Sequence, residues 1–123
     1  MRYRSLLLAI FLVFISLTIS SYTDVNGDFQ RKGIEKLELG NYNGAIVDFS
    51  KAIEIDPNDA VTYDYRGVAK AKKGDFSGSI IDYDKSIELD PNRIDTYGNR
   101  GIAKARSGNL NKAILDFDSA ISI

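Results

Sequence analysis

The sequence predicts an all-α protein built as a right-handed superhelical stack of antiparallel helix hairpins. The first observation behind this prediction is a repeat, because the same glycine recurs every 34 residues, as Gly33, Gly67 and Gly101. The second is the recurrence of proline one repeat apart, as Pro57 and Pro91. The third is the composition, 44% hydrophobic and 27% charged residues, which is typical of an ordinary packed domain.

Composition also narrows the classes of function. The chain carries 16 basic and 17 acidic residues, a net charge of −1, which provides no broad attraction for nucleic-acid phosphates. It contains neither cysteine nor histidine, so disulfides, thiolate or imidazole catalysis and nearly all zinc sites are excluded together. We therefore expect a protein that is not an enzyme, with no cofactor, no metal and no nucleic-acid partner.

The amino terminus has the layout of a secretory signal. Arg2 and Arg4 precede an apolar run that covers most of residues 6–19. This run is shorter than the roughly 20 residues that a membrane-spanning helix usually needs. We expect residues 1–21 to be a signal peptide and the mature protein to be secreted or periplasmic.

The alternative is that this segment is not cleaved. The small residues Thr18 and Ser20 only loosely resemble the small-residue pattern of a cleavage site. An uncleaved segment would anchor the chain, and contact with the membrane would then be limited to residues 5–20.

The first helix of each repeat is predicted from an aromatic residue and a glycine placed four residues apart. These pairs are Phe29 with Gly33, Tyr63 with Gly67, and Tyr97 with Gly101. Residues four apart share one face of a helix, so the glycine lets the second helix approach closely. The predicted first helices span about 27–39, 60–73 and 94–107.

The second helix of each repeat carries a small residue followed four positions later by an aromatic one. These pairs are Ala45 with Phe49, Ser79 with Tyr83, and Ala113 with Phe117. The aromatic ring is expected to fill the core of its hairpin. The predicted second helices span about 43–55, 77–89 and 111–122.

Glycine and proline mark the ends of these helices. Gly40, Gly74 and Gly108 lie where the first helices must end, because glycine adopts the left-handed cap conformation without strain. Pro57 and Pro91 close second helices, because proline cannot continue a helix and holds the preceding aspartate extended.

A period of 34 residues built from two helices, with these glycines, aromatics and prolines, resembles the tetratricopeptide repeat family. The resemblance follows the signal-like segment and gives three repeats, 26–59, 60–93 and 94–123. It implies a helical solenoid, in which each repeat buries its apolar face only by stacking on its neighbours.

The resemblance also implies a function, since the family binds extended peptides in a concave groove lined by the first helices. On that basis the chain is a scaffold whose partner is a protein or peptide. The groove candidates are Gln30, Ile34, Asp64, Tyr65, Val68, Asn99, Ile102 and Arg106. The alternative for each of them is packing of one repeat against the next.

Some family members capture chaperone tails with a clamp of lysine, asparagine and arginine side chains. This sequence departs from that pattern. The corresponding positions hold Gln30, Ile34, Tyr65, Asp95 and Asn99. We therefore do not expect binding to the carboxy-terminal tails of heat-shock chaperones.

The third repeat is truncated compared with the family pattern, without a capping helix or a closing Asp-Pro-Asn turn. Ile114, Ile121 and Ile123 are therefore expected to be exposed. The open explanations are a frayed end, a chain cut short relative to a longer relative, or self-association through these residues. Self-association gives the alternative function, a structural subunit that forms a homo-oligomer.

Two charged patterns are interpreted structurally. Basic pairs and an aspartate recur with the period of the repeat and predict ladders that join the two helices of each hairpin, namely Lys32 and Lys36 with Asp48, Arg66 and Lys70 with Asp82, and Arg100 and Lys104 with Asp116. A second pattern has calcium-loop spacing but places Phe29 where such a loop requires glycine, and consists of Asp24, Asn26, Asp28 and Glu35. We expect no calcium site there.

Overall fold

The protein is described by a computed structural model of residues 2–123, without the side chains of residues 22–24. This part of the chain forms six helices: α1 (Arg2–Glu38), α2 (Tyr42–Ile55), α3 (Ala60–Lys73), α4 (Phe76–Leu89), α5 (Ile94–Arg106) and α6 (Leu110–Ser122). Consecutive helices pack as three hairpins, and α2 and α4 join each hairpin to the next through α3 and α5. The predicted all-α stack of hairpins is confirmed.

The amino end of the first helix differs from the prediction. A start near residue 27 was predicted, but α1 is one helix of 37 residues that begins at Arg2. The apolar run is therefore continuous with the first helix of the repeats. The physical reason is that no proline interrupts this part of the sequence, and the one interior glycine, Gly27, costs only about 1 kcal/mol relative to alanine.

The other helix ends agree with the prediction to within one residue, because local signals set them. Gly74 caps α3 with φ of 93°, in the left-handed region. At the amino end of α4, the carboxylate of Asp75 accepts a hydrogen bond from the backbone N–H of Gly78. Beyond the second helix, Asp56 is extended before the proline and accepts a hydrogen bond from the backbone N–H of Asn58.

The core of each hairpin is an aromatic ring over a glycine. Phe49 is completely buried and Tyr83 is 2% exposed, whereas the equivalent Phe117 is 37% exposed. The difference arises because, within the described residues, α6 packs against α5 alone. A Cβ atom added to Gly67 would lie 2.6 Å from the Tyr83 ring, so the two helices can approach only because this residue is glycine.

The predicted ladders of charge are present, with one difference. Both cations of the second and third repeats bind their aspartate, as in Lys70 Nζ to Asp82 at 2.8 Å. In the first repeat only Lys36 binds Asp48. Lys32 instead pairs with Asp28, one turn earlier on its own helix, at 2.7 Å.

The ladder of the third repeat has an electrostatic consequence. Burial by itself raises the pKa of the Asp116 carboxyl, but hydrogen bonds from Arg100 and Lys104 outweigh it and hold the pKa below its ordinary value. A lowered pKa means that this interaction stabilises the fold above about pH 4. Its contribution is lost as the pH falls through the lowered value.

The apolar part of α1 stands apart from the packed repeats. All side chains of residues 2–21 are exposed. Within the described residues, α1 alone is long and apolar enough to cross a membrane. Of the residues with calcium-loop spacing, Asp28 is ion-paired with Arg31 and Lys32, and the side chain of Asp24 lies outside the described part.

Candidate functional site

The contacts between helices show which face of the stack is concave. The first helices of neighbouring repeats touch one another, since α1 contacts α3 and α3 contacts α5. The second helices, α2, α4 and α6, do not touch one another. The stack therefore curves with α1, α3 and α5 on its inner side.

Two adjoining hollows lie between α3 and α5. The carboxyl-end hollow, at the carboxyl-terminal halves of these helices, has a volume of about 340 Å³ and is lined by Val68, Ala71, Lys72, Phe76, Tyr83, Asn99, Ile102, Ala103 and Arg106. The amino-end hollow has a volume of about 630 Å³ and is lined by Val61, Asp64, Tyr65, Val68, Arg93, Ile94, Asp95, Gly98, Asn99, Ile102 and Ala120. Val68, Asn99 and Ile102 line both, so the hollows form one continuous groove.

Six of the eight groove candidates border these hollows: Asp64, Tyr65, Val68, Asn99, Ile102 and Arg106. Ile102 is 53% exposed and is the apolar side chain most available to a partner. Tyr65 is half-buried, with its ring stacked on Phe49 at 5.7 Å between centroids. That these residues contact a peptide stays a prediction.

The other two candidates, Gln30 and Ile34, line neither hollow. The amide Nε2 of Gln30 donates hydrogen bonds to Asp59 Oδ2 at 3.0 Å and to Thr62 Oγ1 at 2.9 Å. Ile34 packs against the core around Phe49. Both side chains therefore join α1 to its neighbours, which is the packing role considered as the alternative.

The sequence predicted Asp64 as a groove residue but did not reveal its pairing with Arg93 in the amino-end hollow. Asp64 is 8% exposed, and its Oδ2 lies 3.6 Å from Nη2 of Arg93. Within the described structure its other oxygen, Oδ1, is buried without a hydrogen-bond partner. The second carboxylate oxygen of Asp64 is thus an unpaired acceptor buried beside the amino-end hollow.

A signal for this pair was present in the repeat. Gln30 and Asp64 occupy equivalent positions, as do Asp59 and Arg93. Between the first two repeats, the amide of Gln30 donates a hydrogen bond to the carboxylate of Asp59. Between the second and third repeats the donor and acceptor positions are exchanged, because the carboxylate of Asp64 faces the guanidinium of Arg93. The exchange of donor and acceptor side chains between these two positions of the repeat indicates that the two positions are neighbours in space.

Of the candidates for self-association, Ile114 and Ile121 lie on α6, and Ile123 directly follows this helix. Ile114 and Ile123 are about half exposed, and Ile121 is 84% exposed. Together with Leu110 and Phe117, Ile114 and Ile121 form an apolar stripe with helical spacing, hereafter the α6 stripe. That this stripe is an interface stays a prediction.

The three stacked hairpins and their concave groove define a helical-repeat protein of the solenoid class. Three family models match the repeats: a TPR repeat at residues 33–74, and tetratricopeptide repeats at residues 63–93 and 82–115. The chain belongs to the tetratricopeptide repeat family. No curated protein matches it.

Solved structures share the fold. The TPR domain of Arabidopsis OM64 is 22% identical, with a TM-score of 0.80, over 82% of this chain and 84% of that one. The first TPR of Spaghetti (RPAP3), bound to the HSP90 peptide SRMEEVD, is 22% identical, with a TM-score of 0.79, over 80% and 79%. The TPR2B domain of yeast Sti1, in a pHsp70 complex, is 27% identical, with a TM-score of 0.76, over 77% and 76%.

Proposed function

We propose that this protein is a non-catalytic scaffold that binds a protein or peptide partner in the groove between α3 and α5. The observation that carries the proposal is the pair of adjoining hollows, with Val68 and Ile102 on the shared floor and charged side chains at the edges. Apolar floors with a few polar groups are typical of ligand sites. Similar folds support the proposal, because two of them are complexes with chaperone ligands.

This chain does not carry the clamp with which some family members capture the terminal carboxylate of chaperone tails. Three of the positions that correspond to the clamp hold Ile34, Tyr65 and Asp95 instead of lysine, asparagine or arginine. Ile34 is also packed against the core rather than open to the groove. An acidic chain terminus would find no cationic cluster at these positions.

We predict that Ile102→Asp weakens binding of a peptide selected against the full chain from a synthetic library by about tenfold or more. The substitution places a charge on the apolar floor shared by both hollows. The measurement is fluorescence polarisation of the labelled peptide. Ile81→Asp is the matched control, because Ile81 is an exposed isoleucine on α4 outside both hollows. Equal loss in both variants, or in neither, would show that the peptide binds elsewhere.

We also propose that the repeats act outside the cytoplasm. Support comes from Arg2 and Arg4 ahead of the apolar run and from the exposure of residues 2–21. The test is to separate cells that express the tagged chain into membrane and soluble fractions and to measure the mass of the chain in each fraction. Loss of about 21 residues indicates a signal peptide, and an intact, membrane-bound chain indicates an anchor. An intact chain in the cytosol would overturn export.

A second candidate function is self-association through the α6 stripe, which the exposure of Ile114 and Ile121 favours. We predict that Ile114→Lys with Ile121→Lys converts a dimer or larger assembly of the full chain into a monomer, as measured by light scattering in detergent. Val47→Lys with Ile81→Lys makes the same change of charge on exposed residues of α2 and α4 and is the control. A parent chain that is monomeric, or a dimer that survives the α6 substitutions, excludes this candidate.

A further inference from the structure

We propose that the partner presents an acidic side chain beside an apolar one, with the apolar group in the carboxyl-end hollow and its carboxylate between Lys72 and Arg106. The inference rests on the proposed peptide-binding function and specifies the chemistry of the ligand. It concerns positions outside the clamp pattern considered above. Lys72 and Arg106 occupy equivalent places near the ends of α3 and α5.

The floor of the carboxyl-end hollow is suited to an apolar side chain. Val68 and Ile102 form this floor together with the ring of Tyr83, which is only 2% exposed. Its volume of about 340 Å³ is enough for one large side chain with part of its backbone. Within the described part of the chain, no aspartate or glutamate lines this hollow.

The two cations at its rim are not neutralised by the protein. Among the side chains that the structure describes, neither Lys72 nor Arg106 forms an ion pair. The cations two residues earlier behave differently, since Lys70 binds Asp82 and Lys104 binds Asp116. Lys72 and Arg106 therefore leave two positive charges available to a ligand.

The partial negative charge at the carboxyl ends of α3 and α5 offsets the charge of Lys72 and Arg106 only in part. A helix carboxyl terminus carries about half a negative charge, but two full positive charges exceed it. At the end of α3, the backbone N–H of Gly74 already donates to the carbonyl oxygens of Lys70 and Ala71. The rim of the carboxyl-end hollow is therefore positive on balance.

The amino-end hollow has the opposite character, which gives the groove a direction. Asp64 and Asp95 line it, and Arg93 is the only cation among the described residues that border it. A ligand carboxylate is repelled there and attracted to Lys72 and Arg106 at the other end. Such repulsion contributes to specificity as much as the attraction does.

The test uses three short fluorescein-labelled peptides with amidated carboxyl termini and one central leucine, flanked by glutamate, glutamine or lysine. Amidation removes the terminal carboxylate, so the side chains alone supply the charge. The full chain is held in nanodiscs of zwitterionic phosphatidylcholine, and binding is followed by fluorescence polarisation. We expect the glutamate peptide to bind about tenfold more tightly than the other two.

The charge reversals Lys72→Glu and Arg106→Glu together are expected to abolish this preference or invert it. Lys73→Glu with Lys112→Glu is the matched control, because Lys73 and Lys112 are exposed cations that line neither hollow. The control has the same net charge and should retain the preference to within about twofold. Circular dichroism verifies that both variants are folded.

Other outcomes separate the two proposals. If the glutamine peptide binds as tightly as the glutamate peptide, and Ile102→Asp abolishes its binding, the proposed acidic ligand is wrong. The proposal that a peptide binds in the groove is then still supported. Loss of the preference in the Lys73 and Lys112 control also overturns it, because the effect is then one of net charge. Failure of all three peptides to bind overturns the acidic ligand, whereas the proposed groove is tested separately by the effect of Ile102→Asp on the library-selected peptide.

Discussion

Replacing Asp82 by alanine is expected to lower the free energy of unfolding by about 3–5 kcal/mol, because it leaves two cations inside the fold without their shared partner. Oδ1 of Asp82 lies 2.7 Å from Nη2 of Arg66, and Oδ2 lies 2.8 Å from Nζ of Lys70. The Asp82 side chain is buried, and both cations are about four-fifths buried. Neither cation can therefore regain full hydration without moving the helix that carries it.

Asp84→Ala is the matched control, two residues further along α4. Its carboxylate is 2.7 Å from Nη1 of Arg100 but is more than half exposed. Removal of an exposed ion pair is expected to cost about 1 kcal/mol or less. Urea unfolding of both variants, followed by tyrosine fluorescence because the chain has no tryptophan, measures the difference. Similar losses for Asp82→Ala and Asp84→Ala would contradict the role assigned to the buried ladder.

Replacing Gly67 by valine is expected to cost about 3 kcal/mol of unfolding free energy, because the new side chain overpacks the second hairpin. Its Cβ atom alone would lie 2.6 Å from the Tyr83 ring. Tyr83 is 2% exposed, and its ring borders open space at the carboxyl-end hollow. Relief therefore requires either that the ring turns into this hollow or that α3 and α4 separate, which also weakens the ladder between them.

Valine substitutions at two other glycines are expected to lower stability less than Gly67→Val does. Gly98 lies inside α5, and a Cβ atom there meets nothing within 4 Å, so Gly98→Val should change stability by no more than about 0.5 kcal/mol. Gly101→Val should fall between the two, because the ring it meets belongs to Phe117, which is 37% exposed and can swing outwards. Thermal unfolding of the three variants tests the order. A Gly67→Val protein as stable as Gly98→Val would show that this contact does not limit helix approach.

Much of the candidate site was predictable because the repeat places equivalent residues on equivalent faces. Six of the eight groove candidates border the two hollows, since residues one repeat apart point the same way along the stack. Gln30 and Ile34 are exceptions for a physical reason. They belong to α1, whose inner face is joined to α3 by the hydrogen bonds of Gln30 and the packing of Ile34.

By itself the sequence determined the hairpins, their boundaries and their number, because these depend on local chemistry repeated at a constant interval. Gly74 ends a helix wherever it adopts positive φ, and the aspartate before a proline is extended in any surroundings. The amino end of α1 lacked such a signal. Gly27 is too weak a break, so the sequence did not show that the apolar run and the first repeat form one helix.

The repeat predicted the ladder pairs, but only the tertiary structure decided which of the other charged groups are neutralised and which remain available. Lys70 and Lys72 are two residues apart and alike in sequence, but one binds the buried Asp82 while the other lies at the rim of a hollow without an acidic neighbour. The pairing of Asp64 with Arg93 likewise depends on the packing of α3 beside α5. Such interactions act over a few ångströms between residues distant in the chain, so they exist only once the repeats have stacked.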